Sequence, residues 1–219
     1  MAARKIQKVR LSRQSAKAQR RQRLIDAVFH CISRKGIVDT TVADIAGVAG
    51  VANGTVIQHF SSKQALMTEA LRQLTQEFDA ISEAAEKLPT DAPAARLKAV
   101  VLAHLHPDLC RRERLATWFA FWGEASARPI YRKLCRERDK AYYNRMESLV
   151  REVSWSGGYE ELDVHATTHL LVAACEGLWL AMLTGYVKRS EGEAALKQQL
   201  ATLFPREFGR DKFDLHPVD

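Results

Sequence analysis

The sequence predicts an all-α protein of about nine helices, and three observations support this fold class. Apolar residues recur at helical spacing almost throughout. The first such face comprises Leu24, Ile25, Val28, Phe29 and Ile32. No segment alternates convincingly between apolar and polar residues, which is the pattern typical of strands. The prolines and the pair Gly157–Gly158 stand between the helical segments, where chain breaks are expected.

Length and charge limit the class of protein. The 219 residues, 47% of them hydrophobic, are enough for one large domain or two small ones. Gly and Pro together number 17, which excludes a collagen-like chain. The net charge of +7 is uneven, because residues 1–35 carry eleven Lys and Arg against one acid, Asp26. The remainder carries 22 basic and 25 acidic residues, so a polyanionic partner is predicted for the N-terminal part alone.

Neither export nor membrane insertion is predicted. The first 23 residues lack the apolar segment of a secretory signal peptide, although their Arg-rich composition leaves a transit peptide as an alternative. The most apolar stretch, residues 170–183, is interrupted by Glu176 and Gly177 and is too short to span a bilayer, so a buried helix is predicted. The four cysteines form no CxxC pair, which favours reduced thiols in a cytoplasmic protein.

Residues 40–66 carry consecutive signals for two short helices joined by a tight turn. Thr41 and Asp44 have the spacing of a capping box, and Gly50 permits the turn. Ser61 and Gln64 have the spacing of a second capping box, at the start of a long helix. Two short helices around such a turn predict a helix-turn-helix unit.

This unit predicts DNA binding, because a helix fits the major groove and its outward side chains reach base edges. The predicted outward residues are Asn53, Thr55, Ile57, Gln58 and His59. Gln58 can pair with adenine, and Thr55 and Ile57 can contact a thymine methyl group. Thr41 and Lys63 stand at helix starts that suit phosphate contacts. The alternative is an ordinary packed helical hairpin.

The block VADIAGVAGVANGTVIQHFSSKQAL, residues 42–66, resembles the DNA-binding domain of the TetR family of repressors. The matching positions are Ile45, Ala46, Ala49, Gly50, Val51, Gly54, Thr55, Phe60, Lys63 and Leu66. Two positions depart from the family pattern. Ala52 replaces the usual capping Ser, so Asn53 is expected to supply the cap, and Ile57 replaces a frequent phosphate-binding Tyr. The resemblance implies a dimer that binds a palindromic operator and responds to a small effector.

Two later segments predict an effector site. In TWFAFWGE, residues 117–124, Trp118, Phe121 and Trp122 share one helical face, and in CEGLWL, residues 175–180, Glu176 and Trp179 are three residues apart. Aromatic rings with a carboxylate suit a quaternary ammonium ion, which is attracted to ring faces. The alternative is that the rings are ordinary core and Glu176 pairs with an Arg.

These segments also resemble the C-terminal domain of BetI-type regulators within the same family. The matching positions are Trp118, Ala120, Phe121, Trp122, Gly177, Leu178, Trp179 and Leu180. That resemblance implies repression of glycine-betaine synthesis with choline as the inducer. Glu176 stands where those regulators carry Asp, which leaves another amine open as the effector.

The expected organisation is a basic flexible arm (residues 1–16), a DNA-binding domain (17–66), an effector and dimerisation domain (67–205) and a loosely ordered tail (206–219). The last two helices, near 160–203, are expected to form the homodimer interface. No catalytic motif, cofactor or membrane partner is predicted.

Two alternatives to a ligand-responsive repressor remain. One is a regulator of the same fold with a different effector or none. The other is a helical enzyme or carrier that uses Glu176 or the pair His165 and His169. The two histidines have a spacing that metal sites use, but no third ligand accompanies them, so no metal is expected.

Overall fold

The computed structural model describes the backbone of residues 2–209 and the side chains of residues 15–209. Within this range the chain forms ten helices and no strands, which confirms the all-α prediction. The helices are α1 (Ala2–Asp39), α2 (Val42–Ala49), α3 (Asn53–Phe60), α4 (Lys63–Glu86), α5 (Pro93–Ala103), α6 (Arg112–Ala125), α7 (Pro129–Gly157), α8 (Val164–Leu183), α9 (Arg189–Leu203) and α10 (Pro205–Phe208).

Helix α1 is longer than the sequence predicted. A helix was expected from residue 17, but the helical backbone begins at Ala2 and runs through the segment expected to be a flexible arm. Residues 2–16 contain no Gly or Pro and are rich in Ala, Arg, Lys and Gln, which all favour helix. Near its other end the helix is kinked at Gly36, whose φ of 79° lies in the left-handed region.

The N-terminal helices pack around a small apolar core. Leu24 and Val28 of α1, Ile45 of α2, Val56 of α3 and Leu66 of α4 are all fully buried. Each of these helices is short or amphipathic and is stabilised mainly by burying one face against the others. This core sets the angle between α2 and α3, and so the direction in which α3 projects.

Helix α4 connects the N-terminal helices to a larger helical body. It contacts α1 and α3 on one side and α5, α6 and α7 on the other. Its buried residues run from Leu66 to Phe78 and Ser82. At 1.5 Å per residue, the side chains of Leu66 and Phe78 are about 18 Å apart along the axis. The helix continues without a break across the boundary predicted at residues 66 and 67.

Helix α8 is buried on one face only. Leu171, Cys175 and Trp179 are buried, whereas Leu170 is 53% exposed and Leu180 is 49% exposed. The buried helix predicted for this segment is thus buried along one face and exposed along the other. Among the described residues, α8 is the one helix whose length and composition would allow it to cross a membrane. That evidence is weak, because α8 packs against α6, α7 and α9.

The segment after α9 is more ordered than the sequence predicted. A loosely ordered tail was expected from residue 206, but Pro205–Phe208 form α10 and Phe208 is buried. The Tyr159 hydroxyl donates to Glu207 at 2.5 Å and accepts from the backbone N–H of Arg206 at 2.8 Å. Pro205 begins the turn, and Tyr159 holds it against α7. Residues 210–219 lie outside the described residues.

The four cysteines are free thiols. Cys31, Cys135 and Cys175 are buried and Cys110 is half-buried. Burial raises the pKa of the Cys110 thiol, and likewise that of Cys135, to about 11. Such thiols stay protonated at neutral pH, so they are poor nucleophiles and behave as small apolar residues.

We predict that Tyr159→Phe lowers the free energy of unfolding by about 1 kcal/mol, because the hydroxyl that holds α10 is lost. Urea denaturation followed by circular dichroism measures the change. Tyr186→Phe is the control, since Tyr186 is 87% exposed. Equal stability of the two variants would show that the hydroxyl does not hold α10.

Candidate functional site

The start of α2 has the predicted capping box. The Thr41 hydroxyl accepts from the Asp44 backbone N–H at 3.2 Å, and the Asp44 carboxylate accepts from the Thr41 N–H at 2.7 Å. The Lys35 ammonium lies 2.6 Å from the same carboxylate. Hydrogen bonds from Lys35 and Thr41 hold the pKa of Asp44 well below its usual range. Asp44 is therefore ionised at neutral pH, and it stabilises the positive end of the α2 dipole.

The turn between α2 and α3 also follows the prediction, but the cap of α3 does not. Gly50 has φ of 66° and donates to the carbonyls of Ala46 and Gly47, which ends α2. Asn53 was expected to cap α3, yet it is the first residue inside the helix. Ala52 occupies the N-cap, where its methyl side chain accepts no hydrogen bond. The first turn of α3 thus lacks a side-chain cap.

The start of α4 differs from the prediction by one residue. Ser61 was expected to cap this helix, but the hydroxyl of Ser62 accepts from the Ala65 N–H at 3.0 Å instead. Ser61 ends α3 with φ of 63°, in the left-handed region, and its N–H donates to the carbonyl of Ile57. A cap needs extended backbone, which Ser62 has and Ser61 lacks.

The residues predicted to face outward on α3 form a surface row. Asn53, Ile57 and Gln58 are exposed, and Thr55 and His59 are half-buried. On the opposite side Val56 and Phe60 are buried. Val48 of α2 is 51% exposed. The row on α3 is therefore a solvent-facing side of a short helix, the kind of element that fits a major groove.

The two predicted phosphate contacts differ in availability. The Thr41 hydroxyl is already used, because it donates to Asp44 at 2.5 Å within the capping box. Lys63 donates to the Val38 carbonyl at 3.4 Å, and no carboxylate of the described residues pairs with its ammonium. The Lys63 ammonium thus has no acidic partner among the described residues, whereas the Thr41 hydroxyl is occupied within the capping box.

Helix α1 supplies positive charge beside α3 that spacing arguments missed. Lys17, Arg20 and Arg21 lie close enough to His59 to lower its pKa, together with the larger effect of burial. Lys17 and Arg20 are exposed, whereas Arg21 lies 4.6 Å from the centre of the Phe60 ring and pairs with Glu69. Helix α1 thus places two exposed cations near His59, at the end of the surface row on α3.

The predicted effector residues come together only in part. Trp118, Trp122 and Trp179 form a cluster with ring centres 5.7, 6.0 and 6.3 Å apart. Phe121 does not join it. Its ring packs edge-on against Tyr131 at 4.9 Å, because Phe121 points toward α7 rather than α8.

Three aromatic residues missed by the sequence analysis complete this cluster. Phe78 of α4 lies 5.9 Å from Trp179 and 5.1 Å from Tyr142 of α7. His104, just after α5, shares a hydrogen bond with the Tyr142 hydroxyl at 2.9 Å, and its carbonyl accepts from the Trp179 indole at 2.7 Å. We define the aromatic box as the rings of the five residues Phe78, Trp118, Trp122, Tyr142 and Trp179.

A guanidinium lies inside the aromatic box. Arg138 of α7 is 5% exposed, and the central carbon of its guanidinium lies 3.9 Å from the centre of the Phe78 ring and 4.8 Å from that of Trp118. At these distances each ring face attracts the positive charge. The box therefore has the electrostatic character of a cation site.

Acidic groups surround the aromatic box. Glu176 is half-buried, and burial raises the pKa of its carboxyl although the charge of Arg138 opposes the shift. Asp79 of α4 behaves in the same way. No ion pair of Glu176 is present among the described residues, so it does not simply neutralise a neighbouring Arg by direct contact.

The histidine pair on α8 packs against Tyr143 of α7. The rings of His165 and His169 are 4.7 Å apart, and the Tyr143 hydroxyl bonds to His165 at 3.0 Å. Among residues 15–209 no group of three or more His, Cys, Asp or Glu side chains is placed to hold a metal ion.

Two family models match this chain. Residues 24–70 match the bacterial regulatory proteins of the tetR family, and residues 93–205 match the C-terminal domain of the BetI-type transcriptional repressor. The second match alone covers more than half of the chain. The chain belongs to the TetR family, in its BetI-type branch. It is therefore a transcriptional regulator with a DNA-binding domain.

Relatives and solved structures agree with this membership. The HTH-type transcriptional regulator BetI of Pseudomonas paraeruginosa is 32% identical over 169 residues, covering 76% of this chain and 83% of that protein. BetI of Klebsiella pneumoniae is 29% identical over 195 residues, covering 86% and 93%. A transcriptional regulator from Pseudomonas aeruginosa PAO1 aligns with a TM-score of 0.74 and 25% identity, covering 87% and 94%.

One solved structure contains a ligand. A transcriptional regulator from Saccharomonospora viridis in complex with choline aligns with a TM-score of 0.69 and 26% identity. The alignment covers 84% of this TetR-family chain and 95% of that one.

We predict that Ala52→Ser stabilises this TetR-family protein by about 0.5–1 kcal/mol, because a hydroxyl at the N-cap can accept from the first turn of α3. Urea denaturation measures the free energy of unfolding. Ala18→Ser, at an exposed position inside α1, is the control, and it should be slightly destabilising. If Ala52→Ser changes the free energy of unfolding no more favourably than Ala18→Ser does, a side-chain cap does not stabilise α3.

Proposed function

We propose that this TetR-family regulator is a homodimeric, effector-responsive repressor that binds a palindromic operator through α3. The observation that carries the proposal is the row of Asn53, Thr55, Ile57, Gln58 and His59 on a short, firmly packed helix. Side chains on a rigid helix can contact base edges in the major groove, while nearby cations bind the phosphates.

Two observations support a dimer: the symmetry of a palindromic operator and an exposed apolar face on α8. A palindromic operator requires two recognition helices about one turn of DNA apart, which a two-fold symmetric dimer provides. The apolar residues Leu170 and Leu180 on the outer face of α8 remain exposed in the single chain. We propose that α8 and α9 form the interface in a soluble, cytoplasmic protein, where that face is buried against a second copy. The protein needs neither a membrane partner nor a cofactor.

We predict that Gln58→Ala weakens binding to the preferred operator about tenfold, because a bidentate contact to adenine is lost. The operator would be selected from random-sequence DNA with the purified protein, and affinity measured by fluorescence anisotropy. Binding to unrelated DNA should change little, since phosphate contacts remain.

Two comparisons sharpen this test. Gln76→Ala removes an exposed glutamine on α4, outside the proposed interface, and should leave operator affinity unchanged. Lys63→Ala should weaken binding to all sequences alike and reduce the salt dependence, because one phosphate contact is lost. If Gln58→Ala matches Gln76→Ala, α3 does not read bases through Gln58.

We further propose that the effector is a small cation, such as choline or a related quaternary amine, bound at the aromatic box. The ring faces of Trp118, Trp122 and Trp179 and the carboxylate of Glu176 suit such an ion. The choline complex of the similar Saccharomonospora viridis regulator supports this class of ligand. Phe121 was proposed as a further contact, but its position against Tyr131 does not support that role.

Helix α4 offers the route from effector to DNA. Its residue Phe78 is part of the aromatic box, and its first turn packs against the N-terminal core through Leu66. A ligand that favours one position of α4 shifts the population of the dimer toward one spacing of the two α3 helices. The ligand thereby lowers the affinity for the operator.

We predict that Trp122→Ala raises the choline concentration needed for half-maximal operator release about tenfold, because one ring face is lost. Titrations with choline, betaine aldehyde and polyamines would be followed by anisotropy of the labelled operator. Trp155→Ala is the matched control, because Trp155 is 90% exposed near the end of α7, outside the box. Release by choline that Trp122→Ala leaves intact would contradict the effector site and spare the repressor.

A further inference from the structure

We propose that Arg138 is an internal cation occupying the aromatic box, and that a quaternary ammonium effector binds by displacing its guanidinium. The proposal rests on the proposed function, since it concerns the same box. It adds a residue that sets the affinity and selectivity of the site. Nothing in the sequence spacing of Arg138 suggests this role, because it lies in a run of charged residues on α7.

The Arg138 guanidinium already occupies the ring faces that a ligand cation would use. Its central carbon lies 3.9 Å from the ring centre of Phe78, 4.8 Å from that of Trp118 and 5.8 Å from that of Tyr142. Phe78 and Trp118 are fully buried, and Tyr142 is nearly so. A ligand cation that seeks these ring faces meets a cation of the chain already held there.

The Arg138 guanidinium is poorly satisfied by hydrogen bonds inside the box. Its Nη1 donates to the Asp139 carboxylate at 2.6 Å, but Nε and Nη2 are buried without a hydrogen-bond partner among the described residues. Buried charged donors without partners are costly, and they regain hydrogen bonds when the side chain moves into water. The guanidinium therefore gives up few hydrogen bonds when it leaves the box.

The charges around the box favour a cation as the replacement for the guanidinium. Arg138 is accompanied by three carboxyl groups, those of Asp139, Asp79 and Glu176, the last two being close enough to feel its charge. If Arg138 left alone, these acids would lose their compensating cation. An incoming cation restores the balance, whereas an anion would add to the negative charge.

Two consequences follow for binding. The apparent affinity for the effector is reduced by the free energy needed to move the Arg138 guanidinium out of the box. The same holds for any site that can bind its ligand in only a fraction of the molecules. A quaternary ammonium ion competes well because it makes strong ring contacts and needs no hydrogen bonds. Since Arg138 stacks on Phe78 of α4, the exchange also changes the contact between α7 and α4.

The test uses the full-length protein and two variants, Arg138→Ala and Arg138→Gln, titrated with tetramethylammonium chloride by calorimetry. Arg138→Ala should bind the ion about tenfold more tightly than the wild type, because the box no longer has to be emptied. Arg138→Gln, which keeps a shorter polar side chain, should give a smaller gain in the same direction. A cooperative thermal unfolding transition shows that each variant is folded. If Arg138→Ala does not fold, the comparison with the wild type rests on Arg138→Gln.

Arg145→Gln is the matched control. Arg145 lies seven residues further along α7 and pairs with Glu83 and Glu86 of α4, outside the aromatic box. This variant also removes a cation between α7 and α4, so it should bind tetramethylammonium as the wild type does. A gain of the same size in Arg145→Gln would show a general charge effect and overturn the proposal.

Other results would also overturn it. Equal, weaker or undetectable binding of tetramethylammonium in both folded Arg138 variants would show that Arg138 does not compete for the box. Sodium acetate that binds the wild type and is lost in the variants would show that Arg138 holds an anion instead. Failure of the proposed function differs from these outcomes, because it appears as operator release by amines that Trp122→Ala leaves unchanged.

Discussion

The structure depends on the burial of one helix, α4, in two separate apolar environments. Its first turns complete the core of the helix-turn-helix unit, and Phe78, three turns later, lies at the centre of the aromatic rings in the helical body. Because side chains in close-packed interiors cannot shift independently, the position of α4 must satisfy both cores at once. A change in one core is therefore felt in the other.

Polar contacts beside Phe78 strengthen this coupling. Glu77 of α4 pairs with Arg114 of α6 at 2.8 Å, and the Arg114 guanidinium lies 3.9 Å from the ring centre of Phe29 on α1. His30 of α1 also contacts Glu113 of α6 at 2.9 Å. Helices α1, α4 and α6 thus meet one turn away from the aromatic box.

The sequence predicted local features well where a few neighbouring residues decide them. The capping box of Thr41 and Asp44 and the left-handed turn at Gly50 depend only on nearby backbone, and the structure has both. The N-caps of α3 and α4 were predicted one residue too late and one residue too early, at Asn53 and Ser61, because the capping position depends on backbone angles that the sequence does not state. They failed over longer distances where a partner lies far along the chain, as Tyr159 does from α10.

By itself, the sequence determined the all-α class, the helix-turn-helix unit and the outward side of α3, because helical periodicity and turn chemistry depend on consecutive residues. Only the tertiary structure decided the composition of the aromatic box. Phe78, Tyr142 and Arg138 come from helices far apart in sequence, and Phe121 turns away toward Tyr131. Helical spacing states which face a side chain lies on, but the neighbouring helix decides what that face meets.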